Sequence, residues 1–182
     1  MPSVPHNPQA HHRSHRQSVL REAWVAGSCA SVLSALALGW AGHREVRSAA
    51  APLNAVSHWR WGRRALFQRG ISGRHTLLGF FVHHCASVWW AGLHAAVRGR
   101  SPRAQQPAVV LAGAAATSAI ACVVDFQYTP ERLTPGFEHH LSRRALAGVY
   151  AMFALGLAAG ALAVRRSAAR AAAGLQDRSH GL

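Results

Sequence analysis

The stretch of residues 74–98, RHTLLGFFVHHCASVWWAGLHAAVR, constrains the fold of this chain more than any other. Between its two terminal arginines it carries no Asp, Glu, Lys or Arg, over about the ~20 residues that a helix needs to cross hydrocarbon. It nevertheless contains His83 and His84 well inside and His94 near its far end. An unpaired polar ring in lipid is costly, so these histidines should face other helices or a polar cavity. The stretch therefore predicts a membrane-spanning helix within a larger helical assembly.

The rest of the chain repeats this arrangement of apolar blocks separated by basic segments. Half of the 182 residues are hydrophobic and 14% are charged, against roughly 25% in soluble domains. We predict an all-α fold, an integral membrane four-helix bundle with spans at about residues 24–42, 76–97, 108–124 and 145–164. Residues 1–23 are expected to form a disordered polar tail rich in His and Arg, residues 24–164 the membrane domain, and residues 165–182 a basic C-terminal tail.

The connection between the first and second spans, residues 43–75, is long and mixes apolar with basic residues. Trp59 and Trp61 alternate there with Arg60, Arg63 and Arg64. Tryptophan and arginine together are typical of the lipid headgroup region. We predict an interfacial or re-entrant segment after the first span.

Small residues in the fourth span predict close helix packing. Gly156 and Gly160 form a GxxxG motif, and Gly148 lies on the same four-residue ladder. Met152 interrupts the ladder with a long side chain. We therefore expect the close contact to be intramolecular and confined to the later turns.

The charge balance favours a lipid partner. All 20 basic residues are arginine, they stand against 6 acidic residues, and most of them flank the apolar blocks. Guanidinium groups in that position reach lipid phosphates, and no nucleic-acid-binding motif is present. We expect the bilayer as partner, with a homo-oligomer or another membrane protein as further partners, and no nucleic acid.

Three segments resemble those of small uncharacterised bacterial inner-membrane proteins: APLNAVSHWRWG, RHTLLGFFVHH and DFQYTPERLTPGFEHHLS. The resemblance covers the four spans but neither tail. It implies a multi-pass protein of the bacterial inner membrane and no particular activity. Four spans place both termini on one side, and each side then carries ten arginines. The basic short turn and tails favour a cytoplasmic location for both termini.

This topology gathers polar side chains into one half of the molecule. The second span begins, and the third ends, on the side of the two long connections, so His83 and His84 should lie near Asp125. Such a set suits iron, manganese or zinc. The candidate metal ligands are His83, His84, Asp125, Glu138 and His139, and the same polar cluster includes Asn54, His58 and His75. The other three spans contain no histidine, so a haem with two histidine ligands in one subunit is not expected.

Three functions fit the sequence. In the first, which we favour, the protein is non-enzymatic, structural or partner-binding, and the histidines and Asp125 fix helix positions. In the second it is a metal-binding or redox membrane protein that uses the His/carboxylate cluster. In the third it is a small proton-linked permease, which acts as an oligomer because four helices leave a narrow path. No phosphate loop, HExxH or Ser-His-Asp spacing indicates a conventional ATPase or hydrolase.

Overall fold

The computed structural model describes residues 8–98 and 103–180, and every regular element within them is helical. The α-helices are α1 (Pro8–Val46), α2 (Ala51–Val56), α3 (His58–Trp61), α4 (Leu78–Arg98), α5 (Pro107–Val123) and α6 (Arg143–His180). Short 3₁₀ turns lie at Gly62–Phe67, Arg103–Gln105, Glu131–Leu133 and Phe137–His139. A π-turn, Gly73–Leu77, leads into α4, and another, Val124–Tyr128, closes α5.

Three helices in the described part of the chain are long and apolar enough to cross a membrane. They are Arg16–Val46, Pro107–Tyr128 and Arg143–Gly174. These contain the first, third and fourth predicted spans. The second predicted span forms α4, a helix of 21 residues whose three histidines lower its hydropathy, and it is not among the three.

The outer helices extend beyond the predicted spans. Residues 8–23 are helical, where the sequence predicted a disordered tail, and α6 continues through most of the predicted C-terminal tail. The two helices run antiparallel, and hydrogen bonds join them at two well-separated levels. Arg21 Nη2 donates to Ser167 Oγ at 3.0 Å, and at the other end the Glu45 carboxylate accepts from the Ser142 amide and hydroxyl, both at 2.6 Å. Residues 1–7 of the predicted tail lie outside the described residues.

Small residues bring α1 close to α6. A Cβ atom on Gly156 would lie 2.6 Å from the Cα of Ala30, and Gly160 faces Ala26 in the same way. Gly148 faces open space. The expectation of intramolecular packing confined to the later turns of the fourth span is confirmed.

The long helices meet as neighbours in the order α1, α4, α5, α6 and back to α1. We call the end of the molecule formed by residues 44–77 and 124–142 the connection end, and the opposite end the terminal end. The Arg98 guanidinium at the close of α4 pairs with Glu22 on α1 at 2.5 Å. The start of α4 lies against α2, where Gly79 faces the carbonyl of Leu53. So α4 runs antiparallel to α1 along most of its length.

The segment after α1 folds back against the helices instead of forming an open loop. Asn54 on α2 is fully buried, and both the nitrogen and the oxygen of its side-chain amide form hydrogen bonds. Its Nδ2 donates to the carbonyls of Gln68 and Gly70 at 3.0 and 2.9 Å, and its Oδ1 accepts from Thr76 Oγ1 at 2.6 Å. This one side chain therefore holds the loop after Phe67 against the base of α4.

Candidate functional site

A cavity of about 130 Å³ lies among the four long helices near the connection end. Two predicted site residues, His83 and Asp125, line it together with the hydroxyl-bearing residues Ser34, Ser87 and Tyr150. The apolar part of its wall includes four aromatic side chains: Trp59, Trp90, Phe137 and Phe153. A volume of this size suits a few waters or a ligand about as large as benzene.

His83 is held from α1. Its Nε2 lies 2.8 Å from Ser34 Oγ, and the same oxygen lies 2.7 Å from the carbonyl of Ala30. A carbonyl only accepts, so the serine hydrogen points to Ala30 and Ser34 Oγ accepts the bond from Nε2–H of His83. Ser87, one turn further along α4, donates to the backbone carbonyl of His83 at 2.8 Å and leaves the ring free for Ser34.

Asp125 is held from α6. The hydroxyl of Tyr150 donates to Asp125 Oδ2 at 2.6 Å. The backbone carbonyl of Tyr150 also accepts from Ser118 Oγ at 2.6 Å. Tyr150 thus ties α6 to α5 at two points. The rings of Phe126 and Tyr150 form a T-shaped contact, with centroids 6.0 Å apart.

His84 takes no part in the cavity. Its ring packs against Trp24 and Phe80, with centroids 6.1 and 6.0 Å apart. Adjacent residues on a helix point about 100° apart, which separates it from His83.

His75 lies in a further hydrogen-bonded group at the connection end. Its Nδ1 is 3.0 Å from Ser57 Oγ, and that hydroxyl donates to the carbonyl of Asn54 at 2.7 Å. By the same reasoning as for Ser34, Ser57 accepts from Nδ1–H of His75. The ring of Trp61 meets His75 edge-on, and the Arg74 guanidinium lies 3.9 Å from the centroid of Trp61.

A second cavity, of about 700 Å³, opens at the connection end, and we call it the arginine pocket. It is lined by Val46, His58, Gly62, Arg63, Leu66, Phe67, Arg69, Glu131, Arg132, His139 and His140. It contains His58 and His139 from the predicted cluster. Burial lowers the pKa of the neighbouring His140, and the nearby charges of His139 and Arg69 lower it further, against opposing effects of the Leu66 backbone and Glu138.

The five candidate metal ligands therefore lie in different parts of the structure. His83 and Asp125 share one cavity, His84 faces other aromatic rings, and His139 lines the arginine pocket. Glu138 is half-buried, and its Oε2 has no hydrogen-bond partner among the described residues. Across residues 8–98 and 103–180, no three His, Cys, Asp or Glu side chains are placed so that they could hold a metal ion. The metal site stays a prediction.

No protein-family model, curated protein or solved structure matches this chain.

Two features escaped the sequence analysis. His94 is buried and its Nδ1 lies 3.1 Å from Thr117 Oγ1 on α5, which itself donates to the carbonyl of Gly113 at 2.9 Å. His94 was expected to face another helix or a polar cavity, but nothing in the sequence paired it with Thr117. The arginine pocket was also missed, because Arg63 and Arg69 are far in sequence from Arg132 and each one reads as an ordinary headgroup contact.

Proposed function

We propose that this chain is a non-enzymatic membrane protein that crosses the bilayer four times and offers its connection end to a binding partner. One observation carries this proposal: hydrogen bonds link the long helices one after another. Ser34 and His83 join α1 to α4, and Tyr150 and Asp125 join α6 to α5. His94 and Thr117 join α4 to α5.

These links support a structural role for the polar residues. In lipid a lone imidazole or carboxyl group is costly, and a partner on the next helix removes that cost and fixes the register of the two helices. The predicted histidine His83 and the predicted carboxylate Asp125 each have such a partner.

The placement of α4 supports a fourth crossing. This helix lies antiparallel to α1, and its outward side carries large apolar side chains, including Phe81, Trp89 and Val97. Its three histidines are turned toward Ser34, Thr117 and the aromatic rings beside His84. The rings of His83 and His94 are therefore turned away from lipid, which supports a membrane location for α4.

Single-cysteine labelling tests the fourth crossing. Cys29, Cys85 and Cys122 are replaced by alanine, and one cysteine is introduced at Gln68 or at Gln105, before and after α4. We expect a membrane-impermeant maleimide to label the two positions from opposite sides of intact vesicles. Labelling of both from the same side overturns the four-span arrangement. A reporter fused after Leu182 is expected to be cytoplasmic.

A second candidate function is a proton-linked permease, and the cavity beside His83 and Asp125 favours it. Both groups can carry a proton, and a cavity of about 130 Å³ has room for water between them. Proton uptake into liposomes, followed with a trapped pH dye, tests this candidate. Uptake that is lost in Asp125→Asn but retained in Cys85→Ala would favour the permease over the structural role.

A further inference from the structure

We propose that the arginine pocket binds the phosphate group of an anionic ligand, and that its natural source is the headgroup of an anionic phospholipid. This inference names the partner class of the proposed function and rests on the membrane placement proposed there.

The pocket offers positive charge that the protein does not neutralise. Arg63, Arg69 and Arg132 line it and are exposed, and Glu131 is the only acidic residue among the residues that line it. In the described part of the chain none of the three guanidinium groups lies within 4.0 Å of a carboxylate. A guanidinium group can donate two parallel N–H bonds to two oxygens of one phosphate. Three guanidinium groups in one pocket therefore favour phosphate over an anion of a single atom.

Two histidines of the pocket have a ring nitrogen, Nε2, that lacks a close hydrogen-bond partner among the described residues. Nε2 of His140 is buried, with no hydrogen-bond partner among the described residues. The Nε2 of His58 has only a long contact, 3.4 Å, to the carbonyl of Glu131, while its Nδ1 is held by the carbonyl of Ala55 at 2.9 Å. Both nitrogens can take a polar group of a bound ligand as their partner.

Apolar side chains beside the pocket point to a lipid as the source of the phosphate. Phe67 lines the pocket and is 74% exposed, and Ile71, a few residues on, is 86% exposed. Val46, the last residue of α1, also lines it, so the pocket lies where the first span leaves the bilayer. A headgroup in the pocket would leave its acyl chains against these apolar side chains, and the volume of about 700 Å³ exceeds that of a phosphate alone.

The test measures binding to the full-length, detergent-purified chain by calorimetry. The probes are dihexanoyl-phosphatidylglycerol, glycerol 3-phosphate and inorganic phosphate, with dihexanoyl-phosphatidylcholine as the zwitterionic comparison. The pocket variant is Arg69→Gln/Arg132→Gln. Its matched control is Arg143→Gln/Arg144→Gln, which removes the same charge from exposed positions at the same end of the molecule and outside the pocket.

We expect wild type and control to bind phosphatidylglycerol alike and the pocket variant to bind it at least about tenfold more weakly, since a charge-assisted bond is worth roughly 1.5 kcal/mol or more. Equal loss in both variants, or no loss in either, overturns the proposal, as does a wild type that binds none of the anionic probes. Equally tight binding of inorganic phosphate overturns the lipid source and leaves the phosphate site.

A conservative variant separates binding from folding. Arg69→Lys/Arg132→Lys keeps the charge and removes the paired donors, and we expect intermediate binding with an unchanged thermal midpoint in the absence of ligand. Lysine variants that bind as wild type would show that charge alone acts, against a built phosphate site. The cysteine-labelling experiment tests the four-span arrangement separately from the pocket. If both cysteines are labelled from the same side while phosphate binding is intact, the four-span arrangement is wrong and the phosphate site still stands.

Discussion

Ser34 on α1 and His83 on α4 share a hydrogen bond of 2.8 Å whose direction is fixed by a second bond, from Ser34 to the carbonyl of Ala30. The imidazole is consequently the donor and keeps a proton on Nε2. The bond joins α1 to α4 through one ring nitrogen of His83.

We expect Ser34→Ala and His83→Leu to be coupled in their effect on stability. The loss of unfolding free energy in the double variant should be smaller than the sum of the losses in the two single variants. We expect a difference of about 0.6 kcal/mol and no more than ~2 kcal/mol, which is the range for interhelical hydrogen bonds in membranes. Unfolding in mixed detergent micelles measures it. Cys85→Ala, at an exposed position on the same helix, should couple with neither. Strictly additive effects of Ser34 and His83 would show that the bond does not join the helices.

Tyr150→Phe should destabilise the protein by roughly 1 to 3 kcal/mol, because Asp125 then keeps its burial and loses its donor. The bond from Ser118 goes to the backbone carbonyl of Tyr150, so it survives this change. Asp125→Asn still accepts from the tyrosine and should cost less. Thermal midpoints in detergent compare the two variants, and a larger loss in Asp125→Asn would contradict the assigned direction of this bond.

Gly136→Ala should loosen the connection end. Gly136 has φ +84°, and a Cβ atom there would lie 2.7 Å from the carbonyl oxygen of Ala55. The backbone term alone is about 1 to 2 kcal/mol. The matched control is Gly148→Ala in α6, where a Cβ atom meets nothing within 4 Å and alanine favours the helix. We expect faster proteolysis near residue 136 in Gly136→Ala only. Equal cleavage of both variants would show that the close approach of Gly136 to Ala55 does not hold the connection end together.

His140 should make stability depend on pH. Its pKa in the folded protein lies below the ordinary 6.5, chiefly through burial, so the unfolded chain binds the proton more readily. Stability should therefore fall as pH drops below about 6.5 and level off once the pH is under the folded pKa. In His140→Gln this part of the decline disappears. Thermal midpoints at pH 7.5 and pH 5 give the comparison, and identical slopes in both proteins would contradict it.

Elemental analysis separates the structural function from the metal-binding hypothesis. Under the proposed function, protein without residues 1–20 and with a tag free of histidine should contain no stoichiometric iron, manganese or zinc. Near-stoichiometric metal that is lost in His83→Ala/His84→Ala would instead support a metal-binding or redox protein.

The apolar blocks were enough to place the long helices, because a membrane-length run of apolar residues has few alternatives to a helix. Their ends were not predictable. The extension of α1 and α6 depends on tertiary contacts such as Arg21 with Ser167 and Glu45 with Ser142, which join residues about a hundred or more positions apart.

The candidate site was predictable only in part. The order of the spans placed His83 and Asp125 in one half of the molecule, and the structure puts both on one cavity. Ser34 gave no signal, because a serine within an apolar helix is indistinguishable from a small packing residue. Glu138 and His139 follow Gly136, whose backbone conformation turns the loop, so sequence spacing did not show that His139 lines the arginine pocket and that Glu138 does not.

The length of the outer helices has a mechanical consequence. With residues 24–42 and 145–164 in hydrocarbon, residues 8–22 of α1 and 165–180 of α6 continue for roughly 22 to 24 Å beyond it, at ~1.5 Å per residue. The hydrogen bond between Arg21 and Ser167 joins the two helices where they leave the span. The projecting segments therefore begin as a pair of connected helices. A group attached within residues 8–22 or 165–180 would be carried at a set height above the lipid surface.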